Sequence, residues 1–219
     1  MTPFYKFASI VMRILMPICY KIKVEGKENL PEDGGRLFIS NHRSMVDVLI
    51  IGIQTPKTPF CILAKQELFK NKFFGFIIRK LGAIAIDRGS GDISPLAELE
   101  QRLEQGENAL VFPEGTRSFD GKMLRFKTGA SLIALQTGAP IVPASIYFEG
   151  KLRFRRRITV RFGPEFRFEK VETTEGLPAP AILRAARKEM TQNVAALLPQ
   201  PETDAEPVQQ ENKEGESES

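Results

Sequence analysis

The 219-residue chain holds a single histidine, His42, and only two cysteines, Cys19 and Cys61. Zinc sites of the usual kind draw on several His or Cys ligands, so this count excludes one and no metal cofactor is expected. The cysteines lack CxxC spacing and sit among apolar neighbours, which marks them as reduced interior or interface residues rather than a disulfide framework or redox centre. Any histidine acid–base chemistry near neutral pH must use His42. Long apolar runs are also missing. Lys6 and Arg13 interrupt the stretch from Phe4 to Tyr20, leaving uncharged runs far short of the ~20 residues that span a bilayer. A cleaved signal peptide is not expected either, because no apolar core is followed by a small-residue cleavage site.

What is present at the start is amphipathic. Phe4, Phe7, Val11, Ile14 and Ile18 recur at helical spacing, whereas Lys6, Ser9 and Arg13 share another face, so residues 1–22 read as a helical segment that Pro17 should kink or end. Such a helix lies in a membrane interface or packs on the domain's own core, and periodicity alone favours neither. Phe69 to Leu81 offers a second candidate contact. Phe69, Phe73, Phe74, Phe76, Ile77 and Ile78 alternate with Lys70, Lys72, Arg79 and Lys80, more apolar bulk than one buried face needs. Lipid or an acyl chain flanked by snorkelling cations is one reading, and a wholly buried helix with a basic solvent face is the other.

Formal charge is +4, but residues 201–219 carry seven acids against Lys213, which leaves +10 on residues 1–200. That body favours phosphate-bearing partners. Nucleic acid is not expected among them, since no RRM, KH, helix-turn-helix or zinc-finger pattern occurs. The Pro, Gln, Glu and Ser composition after Pro199 cannot bury enough apolar area to offset ordering entropy, so residues 200–219 are expected to be a disordered acidic tail.

Between these ends, apolar runs at 36–40, 83–86, 109–112, 141–146 and 158–162 look like strands, separated by helix-like stretches near 44–54, 65–80, 94–105 and 128–137. Alternation of this kind indicates an α/β fold: one domain over residues 23–199, with a mostly parallel sheet flanked by helices. Leu183, Ala186, Met190, Val194 and Leu197 predict a closing amphipathic helix. Arg153, Arg155, Arg156, Arg157 and Arg161 form the densest basic cluster, read as a solvated sheet edge that discourages strand pairing.

Polar residues gather just after three of these strands: His42, then Asp87 and Arg88, then Pro113 to Arg117. In a mostly parallel sheet the carboxyl ends share one edge, where open α/β folds bind ligands. His42 and Asp47 are five residues apart, about 140° around a regular helix, so they cannot pair if both lie mid-helix. With Ser40 or Asn41 as the N-cap, His42 would sit in the entering turn and fold back to Asp47. The pair is then either a base with its orienting carboxylate or a capping histidine beside an ordinary helix-start aspartate.

These residues resemble the glycerolipid acyltransferase family. Asn41-His-Arg-Ser-Met-Val-Asp47 looks like the family's NHxxxxD block, and Phe112-Pro-Glu-Gly-Thr-Arg-Ser118 is similar to its FPEGTRS block. Gly82 to Arg88 resembles the glycine-to-Asp-Arg block, and Ile141 to Ile146 the VPV-type block, with Lys65, Glu67 and Phe126 to Gly129 also matching in order. The likeness runs from about Val24 to Pro164. It implies His42 as general base and Asp47 as its partner, moving a fatty acyl group from a thioester of acyl-carrier protein or coenzyme A, used as co-substrate, to the sn-2 hydroxyl of lysophosphatidic acid, giving phosphatidic acid. Direct transfer is implied, because Ser44 and Cys61 have no second histidine to activate them.

Arg88 and Arg117 would grip the phosphate, Gly115 would let the loop backbone approach, and Glu114, Thr116 and Lys65 would complete the substrate contacts. Glu114 is expected to accept from the glycerol or to fix Arg117. The resemblance further implies a peripheral or monotopic protein at the cytoplasmic face of a bacterial-type inner membrane. Relatives with the same blocks acylate other lysolipids such as lyso-ornithine lipid, and a non-catalytic anionic-lipid binding protein is the competing reading of a different class.

Overall fold

The computed structural model describes residues 1–55, 57–87, 91–171 and 177–199. Arg88 and the acidic tail at 200–219 lie outside the described residues. Helix α1 spans Pro3–Cys19 and leads into strand β1, Lys21–Glu25. Then follow β2 (Leu37–Ser40), α2 (Asp47–Gly52), β3 (Phe60–Lys65), α3 (Lys72–Lys80), β4 (Ala83–Ile86), α4 (Ser94–Glu104), β5 (Asn108–Val111), α5 (Gly129–Thr137), β6 (Ile141–Tyr147), β7 (Arg157–Phe162) and α6 (Pro180–Ala195). The seven strands form one sheet in the order β1-β7-β6-β2-β5-β3-β4. β6, β2, β5, β3 and β4 run parallel, while β7 is antiparallel to β6 and parallel to β1. The expected single α/β architecture is thus observed.

The central strands are buried on both faces, which is why they read as continuous apolar runs. Alternate residues serve opposite layers. Leu37, Ile39, Ala109 and Val111 pack with Leu99, Ile133 and Met190 from α4, α5 and α6. Phe38 and Leu110 point the other way, to Met16 of α1 and to Ile50 and Ile51 of α2. Fully burying each such side chain is worth about 1.5–3 kcal/mol. Beta strands 1 and 3 have no counterpart among the sequence-predicted strands. The alternation of Lys21-Ile-Lys-Val-Glu25 is short and charged, and Lys65, the last residue of Phe60–Lys65, opens the stretch expected to be helical.

Two details differ from the sequence expectation at the helix ends. Pro17 does not end α1, which continues to Cys19. Ser40 and Asn41 do not cap α2: Ser40 closes β2, and the helix starts at Asp47 with Val46 before it. A third difference concerns the arginines, because β7 pairs on both sides and is not a sheet edge.

The α1 stripe faces outward. Phe7, Ile10, Ile14 and Ile18 are exposed, Phe7 by 67%. The packed side consists instead of Tyr5, Met12 and Met16, with the Tyr5 hydroxyl accepting from the Phe60 amide. Nor is α3 a buried helix: its only buried residue is Gly75, and Phe73 is 77% exposed. Among the described residues no helix is long and apolar enough to cross a membrane.

Candidate active site

β2 and β5 are neighbours in the sheet, so the segments leaving their carboxyl ends meet directly. Asn41 fixes the departure from β2. Its side-chain amide donates to the Ile146 carbonyl at 2.9 Å and accepts from the Ile146 amide at 2.8 Å, extending the β2–β6 pairing one step beyond the backbone. The chain then turns through residues 42–46 before α2, which brings His42 back to the first helical residue.

The imidazole Nδ1 lies 2.9 Å from Asp47 Oδ2. The same oxygen accepts from the Arg43 amide at 2.6 Å and the Ser44 amide at 2.7 Å, and Oδ1 accepts from the Ser44 hydroxyl at 2.9 Å. Asp47 is completely buried, and these donors compensate its desolvation. A carboxylate so occupied is only an acceptor, so Nδ1 carries the proton and Nε2 keeps its lone pair. The ring stacks on Phe112, centroids 4.1 Å apart and planes 21° from parallel. The Ser44 hydroxyl also accepts from the Val46 amide at 3.2 Å, so it serves the turn. Burial pushes the Cys61 thiol up to about 12, and it remains a neutral core residue.

Glu114 arrives from β5. Its Oε1 accepts from the His42 amide at 3.2 Å, and the Ser118 amide donates to the His42 carbonyl at 2.8 Å, so this loop holds the histidine backbone on both sides. This contact with the His42 amide is one that the sequence expectation for Glu114, the glycerol or Arg117, did not include. Glu114 is 2% exposed, and its Oε2 is buried without a well-formed hydrogen bond. Desolvation pushes its carboxyl up to about 7. The His42 and Leu124 amides and Arg43 oppose that rise, while the Asp47 charge adds to it.

Gly115 adopts φ of +71°, which L side chains rarely tolerate, and a β-carbon there would lie 3.0 Å from Lys127 Cε and Nζ. Lys127 therefore lies over the loop, its own amide donating to the Pro113 carbonyl at 2.7 Å. The Arg117 guanidinium sits 5.5 Å above the Phe119 ring, and Thr116 is exposed. Lys65, at the end of β3, is held by Glu67 at 2.8 Å, on the far side of β5 from His42. β4 lies farther still, at the sheet edge, so Asp87 leaves the sheet about 14 Å from β2 at the usual strand spacing.

Two residues here escaped the sequence reading. Lys127 falls in a matching block that assigns it no role. Arg43 is buried, its guanidinium 4.4 Å over the Phe148 ring, and its Nε has no partner among the described residues. No spacing rule reveals either, since both act across the fold.

An α/β sheet with a histidine–carboxylate pair and a Gly-Thr-Arg loop at one edge defines the class. Residues 21–147 match the acyltransferase family model, and the chain belongs to that family. It is 35% identical over 141 residues to the 1-acyl-sn-glycerol-3-phosphate acyltransferase of Bacillus subtilis, covering 64% of this chain and 70% of that protein. The corresponding alpha enzyme of Mus musculus is 35% identical over 179 residues, 78% of this chain and 62% of that one. Only 38% of the chloroplastic LPAT1 of Arabidopsis thaliana is spanned, at 33% identity over 61% of this chain. Among solved structures, the 1-acyl-sn-glycerophosphate acyltransferase PlsC of Thermotoga maritima superposes with a TM-score of 0.65 and 27% identity, over 88% of this chain and 79% of that one.

Proposed function

We propose that this acyltransferase moves a fatty acyl group from a thioester to the sn-2 hydroxyl of 1-acyl-sn-glycerol-3-phosphate, giving phosphatidic acid. The observation that carries the reading is the Nδ1 contact of His42 with a buried, fully occupied Asp47 carboxylate, which leaves Nε2 as a base. Nε2 takes the hydroxyl proton as the oxygen attacks the thioester carbonyl, and Asp47 stabilises the imidazolium. Collapse of the tetrahedral intermediate breaks the C–S bond, and the imidazolium returns its proton to the departing thiolate. No acyl-enzyme forms.

Arg117 takes the phosphate, with Lys127 lying over Gly115 of the same loop and that glycine allowing close approach. Lys65 adds positive charge from the β3 end, and Arg88 is kept as a phosphate contact on the family resemblance alone. Glu114, whose carboxyl is raised by burial to about 7, positions His42 and offers Oε2 to the glycerol. The donor is acyl-carrier protein or coenzyme A thioester. Residues 1–22 form the interfacial segment, residues 23–199 the acyltransferase domain and residues 200–219 an acidic tail. The outward apolar stripe of α1 supports attachment to a membrane surface, and the resemblance implies the cytoplasmic face.

Thiol release from each donor, measured against a panel of lysolipids, tests the substrate choice. Preference for lysophosphatidic acid is expected. Equal rates on lyso-ornithine lipid and other lysolipids would refute that acceptor, and no thiol release with any acceptor would refute acyl transfer itself.

A further inference from the structure

The arginines between β6 and β7 lose their simplest explanation once β7 is internal, since there is no open edge for them to guard. They line a pocket of about 460 Å³ together with Lys21, Tyr147, Phe148 and Phe154. Lys21 and Arg157 are register partners in β1 and β7, so two cations stand side by side. Like charges at opposed positions repel. Arg153 and Arg156 crowd the same wall, Glu149 is the only carboxylate lining it, and none of these cations forms an ion pair among the described residues. Such an arrangement is relieved by an anion.

The loop is held in this shape from the α1 side. Arg155 adopts φ of +59°, a conformation that L residues other than Asn and Asp seldom hold. Its amide donates to the Cys19 carbonyl at 2.6 Å, and its guanidinium donates to the Pro17 and Ile18 carbonyls at 3.2 and 3.1 Å. The Lys21 amide donates to the Arg156 carbonyl at 3.0 Å. These contacts join the basic pocket to the end of α1, next to the exposed Ile14 and Ile18. Phe154, 73% exposed, projects from the same loop among the arginines. An apolar wedge ringed by guanidinium groups matches a lipid surface better than a soluble phosphate, which needs no wedge, and its continuity with the outward apolar stripe of α1 favours a bilayer over a protein partner.

We propose that Lys21, Arg153, Arg156 and Arg157 form a headgroup site for an anionic phospholipid of the bilayer, separate from the acceptor phosphate site, with Phe154 entering the interface beside α1. The proposal rests on the reading of α1 as the interfacial segment. It also sets where the membrane meets the catalytic edge. Phe148 lines the pocket and carries the Arg43 guanidinium on its ring, and Arg43 follows His42 in the chain, so the pocket and the base share the edge at the carboxyl ends of β2 and β6.

Vesicle co-sedimentation of the full chain at physiological ionic strength tests this, comparing pure phosphatidylcholine with vesicles containing roughly a third phosphatidylglycerol. Arg153→Gln/Arg156→Gln/Arg157→Gln should lower affinity for the anionic vesicles by at least about tenfold. Its binding to neutral vesicles and its acyl transfer to monomeric acceptor should stay at wild-type levels. Removing the same number of cations from α6, as Arg184→Gln/Arg187→Gln/Lys188→Gln, should change anionic binding far less. An anionic preference that survives the loop substitutions, or that falls equally with the α6 substitutions, overturns the site. Displacement from anionic vesicles by micromolar glycerol phosphate or coenzyme A, without matching loss on the loop variant, would reassign the pocket to a soluble phosphate. The α1 reading fails separately: if Phe7→Glu/Ile10→Glu/Ile14→Glu binds neutral vesicles as wild type does, α1 is not the interfacial element.

Discussion

Asp47 accepts hydrogen bonds from the His42 ring, from two backbone amides and from the Ser44 hydroxyl, so its charge serves both the fold of the turn and the tautomer of His42. Asp47→Asn puts an N–H donor among groups that already donate. The expected result is a kcat loss on the order of 10²–10⁴, from loss of the correct tautomer, with destabilisation of about 1–3 kcal/mol from donors left unpaired in a buried site. Denaturant melts beside steady-state rates check both. Glu114 makes a pH-dependent prediction. Its folded-state pKa of about 7 stands above the ordinary 4.5, so the native state binds more protons than the unfolded state between those values. Its contribution to stability therefore declines as pH rises from about 4.5 to about 7, and is flat below and above. Glu114→Gln should remove that decline, read as Tm against pH, and an unchanged slope would assign the titration elsewhere.

The elements set how closely these residues approach. Gly82 enters β4 with φ of +92°, and a β-carbon there would collide with the Phe60 carbonyl oxygen of β3. Gly82→Ala should cost well over 1 kcal/mol through strain and strand separation, measured as a fall in denaturation midpoint at unchanged m-value. The sequence showed this glycine as part of a matching block without showing why, because the clash is with a residue twenty-two positions earlier. Long apolar runs such as Ile141–Tyr147 were legible because burial on both faces leaves a continuous apolar signature. β1, half charged, was not, since only its pairing with β7 makes it a strand. The helix start at Asp47 was misplaced for a related reason: the polar residues at 40 and 41 suit a cap, but Asn41 spends its side chain on Ile146 in the neighbouring strand.

At the scale of the whole molecule, exposed large apolar residues collect on α1 and α3. The α1 residues that look like a buried stripe face outward, while Tyr5, Met12 and Met16 hold the helix to the body. Deleting the segment would therefore also strip core contacts, and outward substitutions are the sharper test. Phe7→Glu/Ile10→Glu/Ile14→Glu should move the protein from the membrane fraction to the supernatant with little change in Tm. Retention in the pellet would leave the membrane contact to the Arg153–Arg157 loop or to α3, whose exposed Phe73 and Phe76 are flanked by Lys72 and Lys80. The candidate site was legible in part at this scale. Strand-end clusters converge on one edge as the parallel topology requires, but sheet order decides their distances. It joins Glu114 to His42 and leaves β4 three strands away. Arg43 and Lys127 fall within matching blocks, but their contacts with Phe148 and Gly115 across the fold are not legible along the chain.

The rate of acyl transfer from thioester to lysophosphatidic acid by His42→Ala, on protein shown by circular dichroism and Tm to be folded, bears most directly on the central claim. A kcat reduced by at least about 10³, with acceptor KM nearly unchanged, is the expected result. Transfer at the wild-type rate would mean that the imidazole held by Asp47 is not the base, and the mechanism drawn from it would be wrong.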